Sequence, residues 1–386
     1  MCPTPTVTIH ALPPEVVFYI CRLAITFNLE HWPFGASIAT WDSNESIAHL
    51  QLVCRAWRDP ALRATLHSVS LFDLASTRSL LDTLAINPVR ATFVKYLAIG
   101  VDDGAQDADP DEISAKLLHE SLEMVSTICA TSALVHLHIH PLHFGARESL
   151  LPAVRQSRAL QTLVISPRFR SWAGETWGVD AYSRTDVVEL ALPPFLRRLE
   201  LDFASSWSAP IPVLHPQARP NLINTLWLNC DSEENALWQV LSQSESLEIL
   251  QLYFERLLPK EGPTEEDLAE YDATETPIFD LLLPRYRRLE SLSVTATELS
   301  CHLFRLLPRS LRSLEVTSLN DRARFFMDLQ LLDDLEDPNL EVTLEELTVR
   351  DQAQVYDPDL IQQFYERCVA RGIVFTFQPD SPDDTP

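Results

Sequence analysis

Apolar residues recur at positions n, n+3 and n+5 about ten times between residues 66 and 349, and no other feature of this 386-residue chain restricts its fold so tightly. The triplets are Leu66, Val69, Leu71; Val94, Leu97, Ile99; Leu134, Leu137, Ile139; Leu160, Leu163, Ile165; and Leu196, Leu199, Leu201. They continue with Ile223, Leu226, Leu228; Leu247, Leu250, Leu252; Leu289, Leu292, Val294; Leu311, Leu314, Val316; and Leu344, Leu347, Val349. The n+3 to n+5 step is strand alternation, so each unit supplies a short strand with those two residues inward and the residues between them outward. Amphipathic helices lie between strands: Ser149 to Arg158 with Leu150, Leu151 and Val154, Glu234 to Ser242 with Leu237, Trp238 and Leu241, and Leu299 to Leu307 with Leu303, Phe304 and Leu307. Strand, helix, strand without hairpin turns implies parallel strands joined by right-handed crossovers. Leu283-Pro284-Arg285 and Leu307-Pro308-Arg309 mark helix exits, where Pro stops the helix and Arg complements its negative end. An open α/β sheet of non-repeating order could use the same pattern, but ten matches exceed the roughly 5–6 strands of an ordinary sheet.

These triplets resemble the leucine-rich repeat, L-x-x-L-x-L. The resemblance implies an α/β fold in which residues 72–377 form a curved solenoid with parallel strands on its concave face. The repeat is degenerate, because the Asn that follows in the family is replaced by Leu142, Arg168, Ala204, Asp231 and Glu255. The turns must then be satisfied in other ways. A closing unit is signalled by Asp357 as N-cap, Pro358 as first helical residue, Ile361, Phe364 and Cys368 on one face, Gly372 as stop, and a last strand from Ile373 to Phe377. Asp102 to Glu112 and Lys260 to Glu275 read as solvated acidic loops, and residues 378–386 as a disordered acidic tail.

The first stretch has a different grammar. Pro13 and Pro14 can open a helix with Glu15 in its first turn, and Val16, Ile20, Leu23 and Phe27 form one face that Val17, Cys21 and Ala24 widen. Asp42 and Glu45 signal a second helix carrying Ile47, Leu50, Cys54 and Trp57. Asp59 and Pro60 signal a third, short helix ending near Leu66. Leu12-Pro13-Pro14-Glu15-Val16 and Leu50-Gln51-Leu52-Val53-Cys54-Arg55-Ala56-Trp57-Arg58 resemble the two halves of the F-box, L-P-x-E-I and V-C-R-x-W. The resemblance covers residues 8–71 and implies a three-helix element that binds the Skp adaptor of cullin-RING ubiquitin ligases. An insert at residues 28–45, holding Trp32 and Trp41, is longer than the family usual and resembles the fungal version. By match to the motif, Leu12, Pro13, Val16, Ile20 and Leu50 are expected at the adaptor interface, while Val53 and Trp57 serve either that interface or the packing of the helices.

Composition narrows the remaining classes. No apolar run reaches the ~18 residues needed to cross a bilayer, and Met1 to Pro5 lacks the basic and apolar regions of a secretory leader. Seven cysteines without a C-x-x-C pair read as reduced, mostly buried thiols, so cytoplasm or nucleus is expected. A net charge of −25 repels polyphosphate, which disfavours nucleic acid as a partner. No Gly-rich phosphate loop, G-x-S-x-G elbow or nucleophile motif occurs, so no cofactor and no catalysis are expected.

Two clusters remain. His136, His138 and His140 alternate along one strand and are weak candidates for a metal, since neighbours on one face stand about 6.6–6.8 Å apart; exposed histidines are the expectation. On the outward positions of the strands, Trp227 and Tyr253 with Arg198, Glu200 and Gln251 form the expected target-binding patch, unless an inserted loop with Trp172 and Trp177 covers it. Together these features point to the substrate-recognition subunit of a Skp-cullin-F-box ligase, monomeric within a hetero-complex. Two alternatives stay open: a Skp-bound scaffold without ligase activity, and a hydrolase or metal enzyme on an α/β solenoid.

Overall fold

The computed structural model describes residues 12–26, 49–71, 74–99, 120, 123–131, 133–139, 151–165, 187–190, 192–202, 211–214, 222–230, 240–254, 282–295, 303–318, 329–337, 339–351 and 358–379. The chain divides into two compact units, Met1–Ser171 with Pro193–Phe195, and Trp172–Leu192 with Leu196–Pro386.

In the first unit, helices α1 (Pro14–Thr26) and α2 (Arg55–His67) pack together and α2 runs directly into strand β1 (Ser68–Leu71). Helix α3 (Leu74–Ile86) and a 3-10 turn (Pro88–Phe93) lead to β2 (Tyr96–Ile99), followed by β3 (His136–Ile139), α4 (Leu151–Gln156) and β4 (Thr162–Ile165). The strands pair in sequence order, all parallel, with Val69, Leu97, Leu137 and Leu163 in one register row. Parallel pairing in chain order is what helical crossovers produce.

The second unit repeats this construction. Strands β6 (Arg198–Asp202), β8 (Thr225–Cys230), β9 (Ile249–Phe254), β10 (Ser291–Thr295), β11 (Ser313–Ser318), β12 (Glu346–Asp351) and β13 (Val374–Pro379) are parallel neighbours. Leu199, Leu226, Leu250, Leu292, Leu314, Leu347 and Phe375 share one row. Helices α5 (Leu303–Leu306), α6 (Leu329–Glu336) and α7 (Pro358–Ala370) pack in succession, and α7 lies on β13. Separately, β5 (Val187–Leu190) and β7 (Ile211–Leu214) form a two-stranded parallel sheet with no counterpart among the expected elements.

Each of the ten apolar triplets enters a strand of this kind, and all of their residues are buried. The entries to β3, β4 and β8 to β12 are each fixed by a carbonyl that accepts two successive amides. Asn224 O accepts the amides of Glu248 and Ile249, Glu248 O those of Glu290 and Ser291, Glu290 O those of Arg312 and Ser313, and Arg312 O those of Glu345 and Glu346, all at 2.7–3.1 Å. Lys95 O and Val135 O do the same in the first unit. Backbone groups thus hold successive turns in step at the strand entries, whereas the positions lacking the family Asn lie outside the described residues.

The closing unit follows its sequence signals. Pro358 opens α7, Gly372 stops it with φ 74°, and the Ile373 amide reaches back to the Cys368 carbonyl at 2.8 Å. Strand β13 continues through Gln378 and Pro379, in register with Arg350 and Asp351, two residues further than Phe377. Residues 380–386 and both acidic loops lie outside the described residues.

The start of the chain departs from expectation in one place. Cys54 is extended, with φ −165° and ψ 169°, so the turn at 51–53 ends before Trp57, and Trp57 belongs to α2 rather than to a helix begun at Asp42. Asp59 and Pro60 do not start a helix either. Helix α2 passes through Pro60, which is buried and gives up the bond its missing amide would have made.

Candidate functional site

Helix α1 begins as its prolines dictate: the amides of Val16 and Val17 both donate to the Pro13 carbonyl, at 3.0 and 3.1 Å, and Glu15 sits in the first turn. From there its two apolar stripes diverge. Val17 and Cys21 turn inward onto Trp57, Ala61 and Ala64 of α2, with Leu12, Phe18, Leu50 and Cys54 at the margin. The alanines let the two backbones approach, and Trp57 fills the space beside them. Val16 and Ile20, expected on the same face as Val17 and Cys21, point instead to solvent together with Tyr19.

The turn before α2 adds to this exterior. It is held by the Leu52 amide on His49 O and the Val53 amide on Leu50 O, and it leaves Leu52 81% exposed and Val53 half exposed. Of the residues singled out in the sequence, Val16, Ile20, Val53 and Pro13 are exposed, Leu12 and Leu50 half-buried, and Trp57 is interior. Sequence reasoning did not select Tyr19 or Leu52; both lie within the quoted half-motifs or three residues beyond Val16 on the helix.

Behind this layer, Phe18 of α1 meets the His67 ring (centroids 5.9 Å apart), His67 meets Tyr96 (5.3 Å), and Tyr96 meets His136 (5.9 Å). Burial, with the charges of Arg22 and Lys95 in second place, lowers the His67 pKa to about 4, so the imidazole is neutral near pH 7. Arg63 of α2 lies 4.9 Å over the Phe93 ring, a cation–π contact with the 3-10 turn.

The outward positions of the strands are less open than the sequence suggests. His136 and His138 share one face as alternation requires, but both are buried rather than exposed, and His140 lies outside the described residues. Among the described residues no group of three or more His, Cys, Asp or Glu is placed to hold a metal ion.

Trp227 likewise does not stand in solvent. It is 6% exposed, in register between Glu200 and Gln251, with Glu200 also buried and Arg198 and Gln251 half-buried. An indole removes roughly 200 Å² from water, and at about 25 cal/mol per Å² this favours covering it by up to ~5 kcal/mol. The Tyr253 side chain lies outside the described residues. Burial raises the Glu200 pKa, and the Arg198 guanidinium, hydrogen-bonded to its carboxylate, pulls it back.

Cys21, Cys54, Cys129 and Cys368 are free thiols, and burial pushes Cys129 and Cys368 up to about 12, where they carry no thiolate. Among the described residues no helix is long and apolar enough to cross a membrane. No protein-family model matches the chain, and no curated protein matches it.

Proposed function

We propose that this chain is the substrate-recognition subunit of a Skp-cullin-F-box type ubiquitin ligase, with residues 8–71 as an F-box and the repeats as a leucine-rich-repeat-like solenoid that holds a target protein. The observation that carries this reading is the division of labour within the two half-motifs. Val17, Cys21 and Trp57 make a small interior, and Val16, Tyr19, Ile20, Leu52 and Val53 make an exterior for which the described residues supply no cover. A docking element needs both: an interior that fixes its shape and apolar exterior left for a partner.

In this role the protein performs no bond chemistry. It raises the effective concentration of a target lysine near a charged conjugating enzyme, and it acts as a single copy within the complex, in cytoplasm or nucleus. The target surface is the outward side of the strands, where Arg198 and Gln251 remain half-exposed while Trp227 serves the interior.

Purification of the tagged chain from cells tests the proposal. Recovery of a Skp adaptor together with a cullin supports it; a Skp adaptor without a cullin supports the scaffold alternative. Recovery of neither counts against both. Replacing Leu12 and Pro13 by Ala should reduce adaptor recovery while the repeats stay folded.

A further inference from the structure

We draw no further inference here: the strongest candidate, the surface patch on α7 and β13 where Tyr365, Val369 and Val374 are exposed, carries nothing because nothing in the structure shows what covers it.

Discussion

Val16 and Val17 are consecutive on one helix and meet opposite surroundings: Val17 is 1% exposed against Trp57 and Ala61, and Val16 is 40% exposed. One residue of rotation, about 100°, separates the buried face from the exposed one. Asp at position 17 buries a carboxylate beside Cys21 and Trp57 and should destabilise the first unit by about 3–5 kcal/mol. Asp at position 16 should change stability by no more than about 0.5 kcal/mol yet abolish adaptor binding. Urea unfolding followed by an adaptor pull-down separates the two effects.

The stack Phe18, His67, Tyr96 predicts a pH dependence. The folded His67 pKa of about 4 lies below its ordinary 6.5, so between these values the unfolded chain binds the extra proton. The stability this residue contributes is complete above about pH 6.5 and is lost as the pH falls toward 4. His67→Phe removes that titration. The urea midpoint of the variant should fall less between pH 7 and pH 4.5 than that of wild type, and parallel curves would contradict the assignment.

Much of this arrangement is legible in the sequence, and the limits have physical causes. Inward strand positions must be apolar in every repeat, so Leu199, Leu226, Leu250, Leu292, Leu314 and Leu347 announce their row, and the register follows. Gly372 announces its own stop because few other residues accept φ 74°. Strands β5 and β7 carry no such spacing, and Pro212 inside β7 argues against a strand by every local rule. Asp59-Pro60 reads as a helix start from local preferences, and tertiary packing of Pro60, Ala61 and Ala64 overrides it. Whether Val16 or Val17 faces inward depends on the partner helix, and whether Trp227, His136 and His138 are covered depends on distant segments. Alternation gives the side of the sheet, not what lies above it.

Trp227 therefore behaves as interior. Trp227→Ala should cost about 3–5 kcal/mol of stability in the second unit. Loss of target capture by this variant would then follow unfolding, and a change below ~0.5 kcal/mol in chemical denaturation would contradict the burial. Gln251, half-buried on the next strand, is the milder probe of the same face.

Arg371 fastens the end of α6 to α7. Its Nε donates to Leu335 O at 2.7 Å, Nη1 to Leu340 O at 3.0 Å, and Nη2 to Asp337 O, so one guanidinium serves three carbonyls. Arg371→Ala should destabilise by about 2 kcal/mol or more, with faster amide exchange across residues 329–340. Lys should recover less than half, because an ammonium cannot span three acceptors in fixed directions.

Calorimetric titration of the purified full chain with a purified Skp-type adaptor, with Ile20→Glu as the paired variant, tests whether the N-terminal helices dock on that adaptor. Wild type should bind one-to-one and the variant not at all, at equal thermal stability. Absence of wild-type binding, or wild-type affinity in the variant, would contradict that docking.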